Sequence, residues 1–253
     1  MPSNVNPALI RRARLLATWA ALAAARRFGL IRPARALNQF ATHIPVLLGL
    51  ARIIPVRRVL ELGCGNYSTF TFLDRRAFPH LIELESLETD AAWAGQIAEK
   101  YRCDPRLRLR LVKDPLESTL EQLPLGSYDL LLVDHSDKYE VRAATISFLA
   151  KRAPGQVLVV LHDYEIPLYR RAARGFRHKF EFTAFTPSTC AAGGHFLARC
   201  AALRLLDRTV KNHARTLEPG HTTAWMDLLD AALGSAMQPP GRTLVCACSS
   251  SPR

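Results

Sequence analysis

The sequence predicts an α/β domain built on a largely parallel sheet with helices on both faces. Three observations predict it. Strand and helix signals alternate with short connections over about 56–163, the pattern of parallel strands joined by helical crossovers. Two segments, YDLLLVD at 128–134 and QVLVVLHD at 156–163, are almost continuously apolar, as strands covered on both faces must be. The first predicted strand, VRRVLEL at 56–62, runs into the turn Gly63-Cys64-Gly65 and then a helical segment. That turn lets a ligand approach the backbone closely at the carboxyl edge of the sheet.

The elements follow in order. Residues 7–28 and about 34–51 read as two helices separated by Arg32-Pro33. After the glycine turn, STFTFLDRR at 68–76 is helical and LIELESLE at 81–88 is a strand. AAWAGQIAEKY at 91–101 is a helix with Asp90 at its N-cap. LRLRLV at 107–112 alternates as a half-buried strand does, and LESTLEQL at 116–123 is a helix or turn. YEVRAATISFLAKR at 139–152 is a helix between the two apolar strands. Beyond 163 the pattern changes. A helical stretch at 164–176 precedes HKFEFTAFT at 178–186 and GGHFLARC at 193–200, two strands joined by PSTCAAG. Consecutive strands without a helix predict an antiparallel pair at the sheet's edge. Residues 201–253 hold a basic helix, a second helix near 221–234 and a Pro- and Ser-containing tail. The predicted organisation is an N-terminal helical extension at 1–52, a ligand-binding domain at 53–200 and a C-terminal extension at 201–253.

A chain of 253 residues, 49% hydrophobic, can bury a sizeable core without disulfides or metals. The formal charge is +12, with 28 arginines and 6 lysines, and the excess is densest in the first 60 residues and at 102–110 and 170–179. Such a surface attracts nucleic acid, anionic lipid or an acidic substrate; arginine-favouring codon usage gives the same composition. None of the six cysteines (Cys64, Cys103, Cys190, Cys200, Cys246, Cys248) forms a CxxC pair, so neither a zinc site nor a disulfide framework is expected. Reduced thiols point to a cytoplasmic protein. Arg11, Arg12 and Arg14 precede the apolar run LLATWAALAAA at 15–25, which is closed by Arg26-Arg27. The run is too short to span a bilayer; it reads as an amphipathic helix that packs on the domain, lies on a membrane surface or forms a homodimer contact.

The glycine turn lacks one feature of a dinucleotide site, which needs a third glycine where Ser68 stands. A bulkier turn suits a ligand without a pyrophosphate. Glu88 closes the next strand 23 residues after Gly65, the position from which an acid reaches a ribose diol; the alternative is that it caps the helix at 91–101. Asp114, after the third strand, either accepts an adenine amino group or caps the segment Pro115–Leu123. Taken in this order, VLELGCGNYST, SLETD, LVKD and YDLLLVDHSDKY resemble the class I S-adenosylmethionine (SAM)-dependent methyltransferases over roughly 56–200. The resemblance implies a Rossmann-like seven-stranded αβα sheet with an antiparallel last strand. It further implies Glu61, Gly63 and Gly65 along the methionine part, Glu88 at the ribose and Asp114 at the adenine. Asn66, Tyr67, Ser68 and Asp134 complete that cofactor-binding set.

Two strand ends carry the candidate chemistry: Asp134-His135-Ser136-Asp137-Lys138 and His162-Asp163-Tyr164. Methyl transfer needs a positioned nucleophile and a proton acceptor, and His135 and His162 are the candidate bases, with Asp134 and Lys138 beside them. Each histidine has an alternative as a strand cap. Asp134 and Asp163 also match two Mg2+ ligands of the catechol-type O-methyltransferases, but Tyr164 stands where that family has Asn, and Lys138 comes one residue late. A metal-free site with a histidine base is expected, with Mg2+ as the alternative. The expected reaction is SAM-dependent methylation of a small-molecule acceptor, at oxygen. The competing readings are a nucleic-acid methyltransferase, against which Asp134-His135-Ser136-Asp137 departs from the Pro-Pro-aromatic motif of base-methylating enzymes, and a non-catalytic binding protein. His43 is placed beside the pocket or on a helix surface, and His195 near the acceptor loop.

Overall fold

A computed structural model describes residues 38–113, 115–193, 200–214 and 217–233. Seven strands form one sheet: β1 Arg58–Leu62, β2 Glu83–Glu88, β3 Leu107–Leu111, β4 Leu130–Val133, β5 Leu158–Leu161, β6 Lys179–Phe182 and β7 Thr189–Ala192. The strand order is β3-β2-β1-β4-β5-β7-β6. The first five strands are parallel, and β7 runs antiparallel to both β5 and β6. The flanking helices are α1 Ile44–Ile53, α2 Ser68–Leu73, α3 Ala91–Lys100, α4 Glu117–Gln122, α5 Tyr139–Arg152, α6 Pro167–Ala172, α7 Cys200–His213 and α8 Thr222–Leu233. The expected α/β sheet with its antiparallel ending is therefore present.

The central strands form where they do because their residues are apolar throughout. Every residue of β4 and β5 is buried. On one face Leu60, Leu62, Leu131, Val133, Val159 and Leu161 share a cluster with Ile146 and Leu149 of α5. Residues two apart point to the same face, so Val59, Leu130, Leu132, Leu158 and Val160, also buried, serve the other with Glu61 among them.

The chain builds outward from β1 through β2 to β3, then returns to place β4 on the other side of β1. The strand order thus reverses between β1 and β4, and the crevice above such a point is where open α/β sheets bind ligands. Leu62 is level with Leu87 on one side and Val133 on the other, and Val133 is level with Leu161. Glu88, Gly63, Asp134 and His162, the residues that follow, therefore line one carboxyl edge.

Several boundaries differ from expectation. The helix predicted at 7–28 lies outside the described residues. Residues 34–37 of the one predicted at 34–51 lie outside them too; the described part is a 3-10 turn at Gln39–Ala41 and then a helix from Ile44, with Pro45 in its first turn; proline suits a helix start, where its missing N–H costs nothing. For the same reason the 164–176 stretch becomes helical at Pro167. The strand antiparallel to β6 is Thr189–Ala192, within the stretch expected to be the connecting loop. All four residues of TCAA are buried between β5 and β6, and Gly193 follows at φ +139°. Residues 194–199 lie outside the described set. No described helix is long and apolar enough to cross a membrane.

Helix α1 is buried almost all round and packs on α7 and α8. At Gly49 a Cβ would lie 2.2 Å from a Leu206 methyl of α7, itself fully buried. Gly49→Ala is expected to cost about 1–3 kcal/mol by overpacking, read as a lower urea midpoint with an unchanged slope.

Candidate active site

The glycine turn is shaped by what lies behind it. Gly63 has φ +89°, and a Cβ there would come within 2.5 Å of the Asp134 carbonyl oxygen and 2.8 Å of the His135 Cα. The turn is thus pressed against the end of β4, and a side chain would push them apart. The Gly63 N–H donates to the Leu87 carbonyl at 2.9 Å. Beneath it Glu61 is fully buried. Its Oε2 accepts from Thr69 Oγ1 at 2.8 Å and Ser86 Oγ at 2.5 Å, and Thr69 Oγ1 in turn accepts from the Gly65 N–H at 2.9 Å. Glu61 Oε1 is buried without a partner. Burial pushes the Glu61 carboxyl up to about 7, against the opposing pull of the neighbouring Ser68, Ser86 and Thr69 hydroxyls.

Glu88 turns back toward this loop. Its Oε2 accepts from the Cys64 N–H at 3.2 Å, and its Oε1 accepts from the Thr89 and Asp90 N–H groups at 2.7 and 3.0 Å. Asp90 caps α3 through the Trp93 N–H at 2.9 Å, so the helix cap and the turn-facing acid are separate residues. Trp93 Nε1 ties the same loop by donating to the Cys64 carbonyl at 2.7 Å. Asn66 is exposed and accepts from Lys100 Nζ at 2.8 Å. The Tyr67 hydroxyl meets the Asn38 amide, and Ser68 is buried at the start of α2. Asp114 lies outside the described residues.

A buried polar cluster occupies the ends of β4 and β5. At its centre is Arg142 of α5. Its Nη1 lies 2.6 Å from Asp163 Oδ2 and 3.1 Å from Asp134 Oδ1. Its Nε donates to the His135 carbonyl at 2.5 Å and its Nη2 to the Ser136 carbonyl at 2.9 Å. The guanidinium's fork of donors thus fixes both strand ends. Ser136 and Asp163 hold left-handed conformations, φ +58° and +55°, a strain that persists only where surrounding contacts impose it.

His162 sits between two partners: Nδ1 faces Asp134 Oδ1 at 3.2 Å and Nε2 faces Thr42 Oγ1 at 2.8 Å. Burial opposes its protonation, but Asp134 and Asp163 together raise its pKa above the ordinary imidazole value. Burial also works against ionisation of Asp134, and the neighbouring His162 and Arg142 nonetheless hold its carboxyl below the usual range. His135 is buried with neither ring nitrogen partnered. Burial, then the Arg142 charge, lower it to about 4. Lys138 is exposed at the N-cap of α5, where its N–H donates to Ser136 Oγ at 3.1 Å; its side chain stands apart from the buried groups.

Three residues of this cluster were not singled out from the sequence in these roles. Arg142 carried a readable signal, since it shares the buried face of α5 with Ile146 and Leu149, a charge at an apolar position. Thr42 carried none. His43 is the third: it is 1% exposed, neither ring nitrogen has a partner, and it meets the His162 ring edge-on at 4.8 Å between centroids.

The Asp134–Asp163 pair does not fit a magnesium ion. The Arg142 guanidinium bonds both carboxylates where the cation would stand, and Tyr164 supplies a poor oxygen ligand.

Residues 60–164 match the family model described as a methyltransferase domain. No curated protein matches the chain. Among solved structures, cofactor-bound Rv0187 from MTB is 22% identical, with 76% of this chain and 98% of that one covered at a TM-score of 0.45. The O-methyltransferase TomG from Streptomyces achromogenes, in complex with SAM, is 18% identical over 68% and 86% at 0.43. The N-methyltransferase NodS from Bradyrhizobium japonicum is 14% identical over 61% and 95%, also at 0.43. The family model thus agrees, over residues 60–164, with the methyltransferase resemblance read from the sequence.

Proposed function

We propose that this chain is a SAM-dependent methyltransferase acting on a small-molecule acceptor, with the methyl group transferred to oxygen. The observation that carries the reading is the Glu88 carboxylate turned onto the Cys64 N–H of the glycine turn. A nucleoside held there meets an acid for its ribose hydroxyls and a bare backbone for its tail. The orphaned Glu61 Oε1 below the turn is a further acceptor for a cationic or N–H-bearing ligand. SAM, when bound, supplies a methyl group already activated by a sulfonium.

The protein's remaining tasks are alignment and proton removal. Of the two candidate histidines, His162 has both nitrogens engaged by Thr42 and Asp134. His135 has both free, and its Cα packs directly behind Gly63. His135 is therefore the proton acceptor. A neutral, weakly basic imidazole suits a hydroxyl, which keeps a lone pair for attack and becomes strongly acidic as the new bond forms.

The test is a calorimetric SAM titration. Glu88→Ala is expected to weaken binding at least about 30-fold, since charged hydrogen bonds contribute about 1.5–3 kcal/mol each. Unchanged affinity in Glu88→Ala, or no affinity in the native protein, ends the reading.

A further inference from the structure

The proton-transfer reading leaves one buried cluster unused. We infer that His43, Asp134 and His162 form a site for a divalent transition-metal ion of the zinc, cobalt or iron(II) class, set beside the glycine turn. The inference rests on the methyltransferase reading for the ion's role, and on the side chains alone for its binding.

One ligand atom from each of the three residues lies within 4.8 Å of the others. Ligand atoms around an ion at about 2.0–2.2 Å lie closer than that, so binding draws the side chains inward. His43 is the independent pointer. A fully buried imidazole with no partner for either nitrogen is costly unless something absent from the protein itself receives a lone pair. The three ligands come from separate elements: the residue before α1, the end of β4 and the end of β5. They are held from behind in the manner of metal ligands. Thr42 Oγ1 fixes His162 through Nε2, leaving Nδ1 toward Asp134. Arg142 holds Asp134 by Oδ1, and Asp134 Oδ2 has no side-chain partner among the described residues.

Charge allows the ion despite Arg142. Asp134 and Asp163 together carry two negative charges against one guanidinium, and two imidazoles ligate as neutral groups. The donor set selects the metal class, because magnesium and calcium take oxygen ligands whereas imidazole with carboxylate suits zinc and its neighbours. Three protein ligands leave coordination positions open, and an acceptor oxygen bound there would be polarised beside His135. This set differs from the Asp134–Asp163 pair, which Arg142 closes.

The experiment is a Co2+ titration of chelator-treated protein, followed by visible absorption and calorimetry, with SAM affinity measured on the same samples. One equivalent of Co2+ is expected to bind, and His43→Ala to weaken it more than about 100-fold, beyond the loss of an outer-shell partner. His80→Ala, an exposed control, leaves binding unchanged. Absence of stoichiometric Co2+ binding, or full binding by His43→Ala, overturns the site. Should His43→Ala not fold, X-ray absorption of the zinc-loaded native protein decides: two imidazoles in the shell support the site, and none or one overturns it. SAM binding without Co2+ binding refutes the metal site alone. Co2+ binding without SAM binding refutes the cofactor reading alone.

Discussion

His135→Ala is expected to lower turnover about 10²–10⁴-fold, the usual contribution of a positioned proton acceptor, while SAM affinity stays within about 2-fold of the native value. The measurement uses SAM labelled in its methyl group with a panel of hydroxyl-bearing acceptors, and follows whichever is methylated. The expectation follows from the isolation of the ring. Both nitrogens lack partners, so the side chain contributes little that a purely structural role would explain, whereas its Cα lies against the turn that would hold the cofactor. Added imidazole should restore part of the lost rate by occupying the vacated space. A variant that keeps the native rate moves the base elsewhere, and His162 is next in line.

Arg142→Met is expected to destabilise the fold by about 3–5 kcal/mol, the cost of removing one partner from a buried ionic cluster. For a chain of this size that is a fall in Tm of roughly 6–20 °C. The methionine fills similar space but leaves Asp134 and Asp163 facing each other, and it abandons the carbonyls of His135 and Ser136. Arg142→Lys should recover only part of the loss, because an ammonium restores the charge and not the fork. Pairing Arg142→Met with Asp163→Asn should recover some as well, by removing one unpaired charge, and the non-additivity of that double-mutant cycle measures the coupling. An unchanged melting temperature would mean that the cluster is solvated well enough to do without its cation.

Most of the sheet was legible because its signals are local. β4 and β5 are unbroken apolar runs, and α5 spans 139–152 as its pattern predicts. The strand at Thr189–Ala192 was misread because small residues such as Cys190, Ala191 and Ala192 carry little β signal and earn their place only by fitting between two strands. That Glu88 ends beside the glycine turn was legible from its spacing. His43 and Thr42 were not, since the residue they serve lies 120 positions from Thr42 along the chain, and nothing nearby announces the partnership. Arg142 lay between: its place on a buried helical face was visible, while the two carboxylates it joins come from different strand ends.

The level alignment of the strand ends sets a length for whatever the crevice accepts. Neighbouring strands stand about 4.8 Å apart, and Glu88 and Asp134 close strands on either side of β1. The sheet is thus a ruler, with about 10 Å between its first mark and its last. A molecule gripped at the acid must extend that far to present its reacting carbon to the histidine side.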